Sequence, residues 1–248
     1  MRNKISLLQF LVSLSIGLYA FLTILIFIII YFQPTDFFFM TSWNFYISTV
    51  YLITVAVCDF SLFIFKSNKL DKINEIFRET LSPAFTALTY LVTFTFWVMI
   101  FPALLTSDED PNFGMGLYWN LYLHLFVTIF QTIDIFFSYR KNKGIIIKYD
   151  FLIGAFIMLA YSILTLILIF GFNITIYPFF QNMTWYKFIG EALLFIVMIF
   201  VFYLIHVGLI KLKYKFKLFI IIDEAKITLN LSDKEANQET NQTNEITT

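Results

Sequence analysis

The chain has 248 residues, with 17 basic and 17 acidic side chains and so a formal net charge of zero. That balance points to neither a nucleic acid nor an acidic partner. Only 14% of residues are charged and 59% are hydrophobic, against about 25% charged in a soluble domain, which excludes an ordinary soluble fold and indicates an integral membrane protein.

Crossing the hydrocarbon takes about 20 apolar residues. After "MRNK" the chain stays apolar from Leu7 to Phe32, longer than the roughly 7–15 residues of a signal-peptide core, so this run reads as a retained first span. Five more runs follow, at residues 40–65, 83–105, 118–139, 151–172 and 188–209. "QPTD" separates the first two. "SNKLDKINEIFRETLSP" separates the next two, with Ser82 placed to cap a helix and Pro83 at its first position. "TSDEDPNFG", "RKNKG" and "NITIYPFFQNMTW" make the remaining breaks. The single cysteine, Cys58, lies in the second run and has no internal disulfide partner.

Sixteen of the 17 Lys and Arg residues fall on one side of a strictly alternating six-span arrangement; the exception is Lys187. The positive-inside rule then places both termini in the cytoplasm. The expected fold is all-α, a polytopic six-transmembrane-helix bundle over residues 1–222. Residues 223–248, rich in Asn, Gln, Thr and Glu and without aromatics, read as a polar, disordered tail. The lysines of "KLKYKFKLF" suit an anionic cytoplasmic leaflet, and more plainly mark a stop-transfer boundary.

Polar residues inside spans face other helices or a cavity. At 3.6 residues per turn, Thr41, Asn44, Ser48, Tyr51 and Asp59 share one arc of the second span. Thr86, Tyr90, Thr93 and Trp97 do so in the third, and Asn120, His124, Thr128, Gln131 and Asp134 in the fourth. Three polar stripes suggest a bundle with a polar interior, although interhelical packing alone also recruits Ser, Thr and Asn. Asp59 and Asp134 lie near the cytoplasmic ends of their spans and read as an interhelical polar cluster. Thr41 and His124 lie within the first two turns of theirs, at similar depth. A hydroxyl beside a neutral imidazole is the minimal nucleophile–base pair. Asn44 and Asn120, each one turn from one of these, are candidates for positioning or oxyanion stabilisation. Spacing alone does not single out this pair, because one histidine among many hydroxyls nearly always offers one. A lone histidine argues against zinc, which usually takes three protein ligands; no metal and no cofactor is implied. His206, near the cytoplasmic end of the last span, reads as interfacial or structural; Glu191 lies near its outer end, and nothing in the sequence supports a cavity-wall role for it. Asn173-Ile-Thr and Asn182-Met-Thr are glycosylation sequons.

Four segments carry a resemblance. "FMTSWNFYISTVY" (39–51), "LSPAFTALTYLVTFTFWVMIFP" (81–102), "NLYLHLFVTIF" (120–130) and "IYPFF" (176–180) occur in this order. Together they resemble the androgen-induced and androgen-dependent multi-pass membrane protein family, across all six runs. The chain departs from that pattern in lacking a proline a few residues after His124. The resemblance implies a hydrolase of fatty acid esters of hydroxy fatty acids, a metal-independent carboxylic ester hydrolase of the threonine type. Thr41 would be the nucleophile and His124 its base, with a membrane lipid ester as substrate, the bilayer as surroundings and no nucleic acid. The endoplasmic reticulum or plasma membrane is favoured over the mitochondrion. The competing expectation is a non-catalytic membrane scaffold or accessory subunit of a larger complex that retains the same fold.

Overall fold

A computed structural model describes residues 7–30, 38–65, 68–101, 121–138, 147–174 and 183–216. Among these residues the regular structure is entirely helical. The helices are α1 (Leu7–Ile30), α2 (Met40–Phe65), α3 (Asn68–Ile76), α4 (Ser82–Phe94), α5 (Val127–Phe137), α6 (Ile147–Leu166) and α7 (Trp185–Lys215). Wider π-helical turns occupy Phe77–Leu81, Thr95–Ile100, Tyr122–Phe126 and Ile167–Gly171. Five helical stretches are long and apolar enough to cross a membrane: Leu7–Ile30, Met40–Phe65, Lys72–Val98, Asp150–Gly171 and Trp185–Lys215. Helices suit hydrocarbon because every backbone hydrogen bond is made within the segment.

The fourth expected span is the exception. Its described apolar part, Leu123–Phe137, rises only about 22 Å at 1.5 Å per residue, against a hydrocarbon thickness of about 30 Å. The described helices of spanning length number five, with Leu123–Phe137 a shorter apolar helix whose run continues, in the sequence, into residues outside the described set. Residues 102–120, which include Asn120, lie outside the described residues, as do residues 217–248, where the polar tail is expected.

The break expected between the second and third runs is also different. Residues 68–101 are helical throughout. Ser82 has helical dihedrals of −56° and −44° and is buried, so it caps nothing. A proline inside a helix lacks an N–H and crowds the carbonyl four residues back. Here the π turn at Phe77–Leu81 sits immediately before Pro83 and widens the helix at that point.

Close packing of α1 on α2 starts from small side chains. Ser13, Gly17 and Ala20 are on the buried stripe of α1, and a Cβ on Gly17 would run into the Ala56 side chain. Such contacts let two helix backbones approach where no hydrophobic effect drives them together. The opposite face of α1, with Leu18, Leu22 and Ile29, is exposed. Gly154 of α6 lies close to Ala84 and Ile199 in the same way. A larger apolar core joins Met40, Leu88, Leu91, Met158, Ile199 and Tyr203 from α2, α4, α6 and α7.

Charge fastens one end of the bundle. The Arg78 guanidinium donates to Asp59 Oδ2 at 2.5 Å and to Asp134 Oδ1 at 2.8 Å. Its Nε donates to Asn74 Oδ1 at 3.0 Å, and the Asn74 amide donates to Asp59 Oδ1 at 2.8 Å. The Tyr51 hydroxyl completes Asp134 at 2.9 Å, and Gln9 from α1 reaches Asp59 at 3.4 Å. Arg78, Asp59 and Asp134 are all buried. The interhelical polar cluster expected at Asp59 and Asp134 is thus present, but it turns on Arg78, a residue that in sequence looks like a loop charge.

Candidate active site

The site expected from sequence lies at the other end of α2. Thr41 and Asp59 are 18 residues apart, about 27 Å along the helix axis. Thr41 sits in the first turn of α2, which opens where the Phe39 carbonyl accepts the backbone N–H groups of Ser42 and Trp43 at 3.1 and 3.3 Å. Its side chain is half-buried.

Asn44, one turn further, is fully buried. Its Oδ1 accepts the Thr89 hydroxyl at 2.7 Å and the Ser48 hydroxyl at 3.3 Å, and those two hydroxyls lie 3.0 Å apart. This network takes up the carbonyl end of the amide. The Nδ2 end is left buried with no hydrogen-bond partner.

His124 lies in the π turn Tyr122–Phe126 and is 6% exposed. Its ring stacks on Phe96, with centroids 3.5 Å apart and planes 7° from parallel. Its backbone carbonyl accepts the Trp97 indole N–H at 3.3 Å. Phe96 and Trp97 belong to the facing π turn Thr95–Ile100. Insertions of this kind recur at functional sites, because they re-aim side chains within an otherwise regular helix. The His124 Nδ1 atom is buried and has no hydrogen-bond partner.

The helix register places these groups at one level. Ser48 meets Thr89, and eleven residues on, Asp59 meets Arg78, eleven residues back. Continuing that register in the other direction sets Thr41 level with Phe96, the residue stacked on His124. Contact between Phe45 of α2 and Leu123 and Val127 supports the same alignment. Thr41, Asn44 and His124 therefore share one end of the bundle. No hydrogen bond joins the Thr41 and His124 side chains among the described residues.

The three polar stripes converge as their spacing predicts. Tyr90 pairs with Thr132 at 2.8 Å and Thr93 with Thr128 at 2.5 Å. His206 is fully buried on α7, a structural position in place of an interfacial one. Asn173 follows the last turn after α6 in the left-handed region, with φ of 56°, a conformation asparagine tolerates; Thr175 of its sequon and all of residues 175–182 are outside the described set. Among the described residues no group of three metal-ligating side chains gathers.

Sequence reasoning missed two residues. Phe96 stands in the sequence as one of several aromatic residues before Trp97, and nothing in that run says which ring meets an imidazole. Arg78 carried a usable signal: two acidic residues within apolar runs call for a cation, and "NEIFRETL" holds one among apolar neighbours.

The family model described as FAR-17a/AIG1-like protein matches residues 8–212 of the chain. Comparison with the curated proteins gave no match, and neither did comparison with the solved structures.

Proposed function

Because the chain belongs to the FAR-17a/AIG1-like family, we propose that it is an intramembrane hydrolase of lipid esters, acting on fatty acid esters of hydroxy fatty acids. What supports this reading is the register of the Ser48–Thr89 and Asp59–Arg78 contacts, which continued outward brings Thr41 toward the level of Phe96, the ring on which His124 stacks. Thr41 Oγ1 attacks the ester carbonyl carbon while its proton passes to the His124 imidazole. The Asn44 amide, whose Nδ2 has no other partner, donates to the oxyanion as negative charge develops there. Collapse of the tetrahedral intermediate breaks the bond to the alcohol oxygen, which takes the proton from the imidazolium. Water then attacks the acyl-threonine, gives a proton to His124, and releases the fatty acid and the Thr41 hydroxyl. No step calls for a metal or cofactor. A bilayer-dissolved ester reaches such a site without leaving the membrane, and the endoplasmic reticulum or plasma membrane is the proposed location.

The absence of a Thr41–His124 hydrogen bond favours the second reading, a non-catalytic scaffold or accessory subunit. Catalytic hydrogen bonds, however, are often long without substrate and tighten in the Michaelis complex. A fluorophosphonate probe separates the two. Labelling of the wild type, lost in Thr41→Ala and in His124→Ala but retained in Thr41→Ser, supports the hydrolase. Labelling that persists in Thr41→Ala overturns the nucleophile, and an unlabelled protein that copurifies with stoichiometric partners supports the scaffold.

A further inference from the structure

A small cleft lies between α6 and α7, beside the start of α2, where Tyr161 meets the Phe38 carbonyl and the Trp43 ring. Apolar side chains such as Met158, Phe188 and Phe195 make most of its wall. Four polar side chains also line it, and two are already engaged. The Tyr161 hydroxyl donates to the Phe38 carbonyl at 3.0 Å, and the Ser162 hydroxyl to the Met158 carbonyl at 2.9 Å. The other two are not. The Thr165 hydroxyl is buried, 1% exposed, and has no hydrogen-bond partner. The half-buried Glu191 carboxyl makes no hydrogen bond or ion pair among the described residues.

Both residues sit in helices of spanning length, beside side chains exposed on the outer face of the bundle, Ile163 and Leu159 on α6 and Leu193 and Leu194 on α7. A carboxyl and a hydroxyl left unpaired in hydrocarbon are costly, and an ionisable side chain within a span marks a functional site by default. The partner's chemistry follows from what the two groups offer. A hydroxyl donates one hydrogen bond to the Glu191 carboxyl and accepts one from Thr165 Oγ1. An ammonium can donate to both groups but carries a full charge into hydrocarbon, and against an ionised Glu191 an ether or ester has no proton to give and a phosphate or carboxylate meets like charge. The enclosed space is far smaller than a drug-sized site, room for a small polar head, with the ligand's chain left to the open side of the cleft.

We propose that this cleft binds the hydroxyl end of a neutral lipid alcohol drawn from the bilayer, held between Glu191 and Thr165 with its hydrocarbon against Met158, Phe188 and Phe195. The cleft adjoins the start of α2 through Tyr161 but is not lined by Thr41, and the proposal does not rest on the Thr41 chemistry. The test uses the full chain in phosphatidylcholine nanodiscs and a long-chain alcohol carrying a diazirine and an alkyne. Adducts are expected on α6 or α7. Unlabelled hexadecanol competes, and its methyl ether competes about tenfold more weakly for want of the charged-acceptor hydrogen bond. Glu191→Leu and Thr165→Val each lower labelling about tenfold, whereas Thr41→Ala leaves it unchanged, so loss of esterase activity and loss of this site are told apart. Equal labelling of both variants overturns the proposal. So does equal competition by the ether, or stronger competition by hexadecylamine than by hexadecanol. If either variant fails to fold, the competition series on the wild type decides.

Discussion

Replacing Arg78 with Met keeps most of the side-chain volume and removes the cation that α2 and α5 share. Three bonds to Arg78 disappear: 2.5 Å to Asp59, 2.8 Å to Asp134 and 3.0 Å to Asn74. The two carboxyls remain buried without their cation, Asp59 beside Asn74 and Gln9 and Asp134 beside Tyr51. Removing one partner of a buried ion pair costs roughly 3–5 kcal/mol, because the remaining charge is uncompensated. At roughly 2–4 °C per kcal/mol for a protein of this size, the midpoint of thermal unfolding falls by about 6–20 °C. Intrinsic tryptophan fluorescence in detergent micelles reads this directly. Adding Asp59→Asn and Asp134→Asn to Arg78→Met removes the uncompensated charge and recovers much of the loss. A single variant within about 2 °C of wild type, or a triple variant no more stable than the single, refutes the view that Arg78 compensates the two buried carboxyls.

Other changes test the packing and the site. Gly17→Ala places a methyl against Ala56 and is expected to cost about 1–3 kcal/mol by overpacking; Ala56→Gly in the same chain restores the unfolding midpoint. Phe96→Leu removes the face that holds the His124 ring. The lost stack is worth about 0.5–1.5 kcal/mol of stability, while ester turnover falls far more than that, read as kcat with KM little changed. Asn44→Leu leaves the Thr89 and Ser48 hydroxyls without their acceptor and lowers stability by about 1–3 kcal/mol. It also lowers kcat by about 10²–10³-fold, whereas Thr89→Val perturbs the same network and spares most of kcat.

Much of the bundle is readable in the order of residues. Apolar run length identifies the spans, because hydrocarbon admits only backbones that satisfy themselves, and residues 40–65 match α2 end to end. The 3.6-residue period identifies the inward faces: Asn44, Ser48, Tyr51 and Asp59 on α2 are all buried. The stretch from Asn68 to Leu81 was less readable. Its charges and polar residues describe a loop, and it is helical because Asn74 and Arg78 find their partners on α2 and α5. Pro83 misleads in the same place, since a π turn lets the helix continue through it.

By itself, then, the sequence determines an all-helical membrane protein and the direction of each polar face. These are properties of one helix in a slab of hydrocarbon, and periodicity and run length encode them. Only the tertiary structure decides which faces meet. It pairs Asp59 and Asp134 through Arg78, lays His124 on Phe96, turns the Asn44 carbonyl to Thr89, and leaves Glu191 and Thr165 on a common cleft. Those pairings depend on the relative rotation and axial register of separate helices. Both are set by close contacts such as Gly17 on Ala56, which the period of a single helix does not specify.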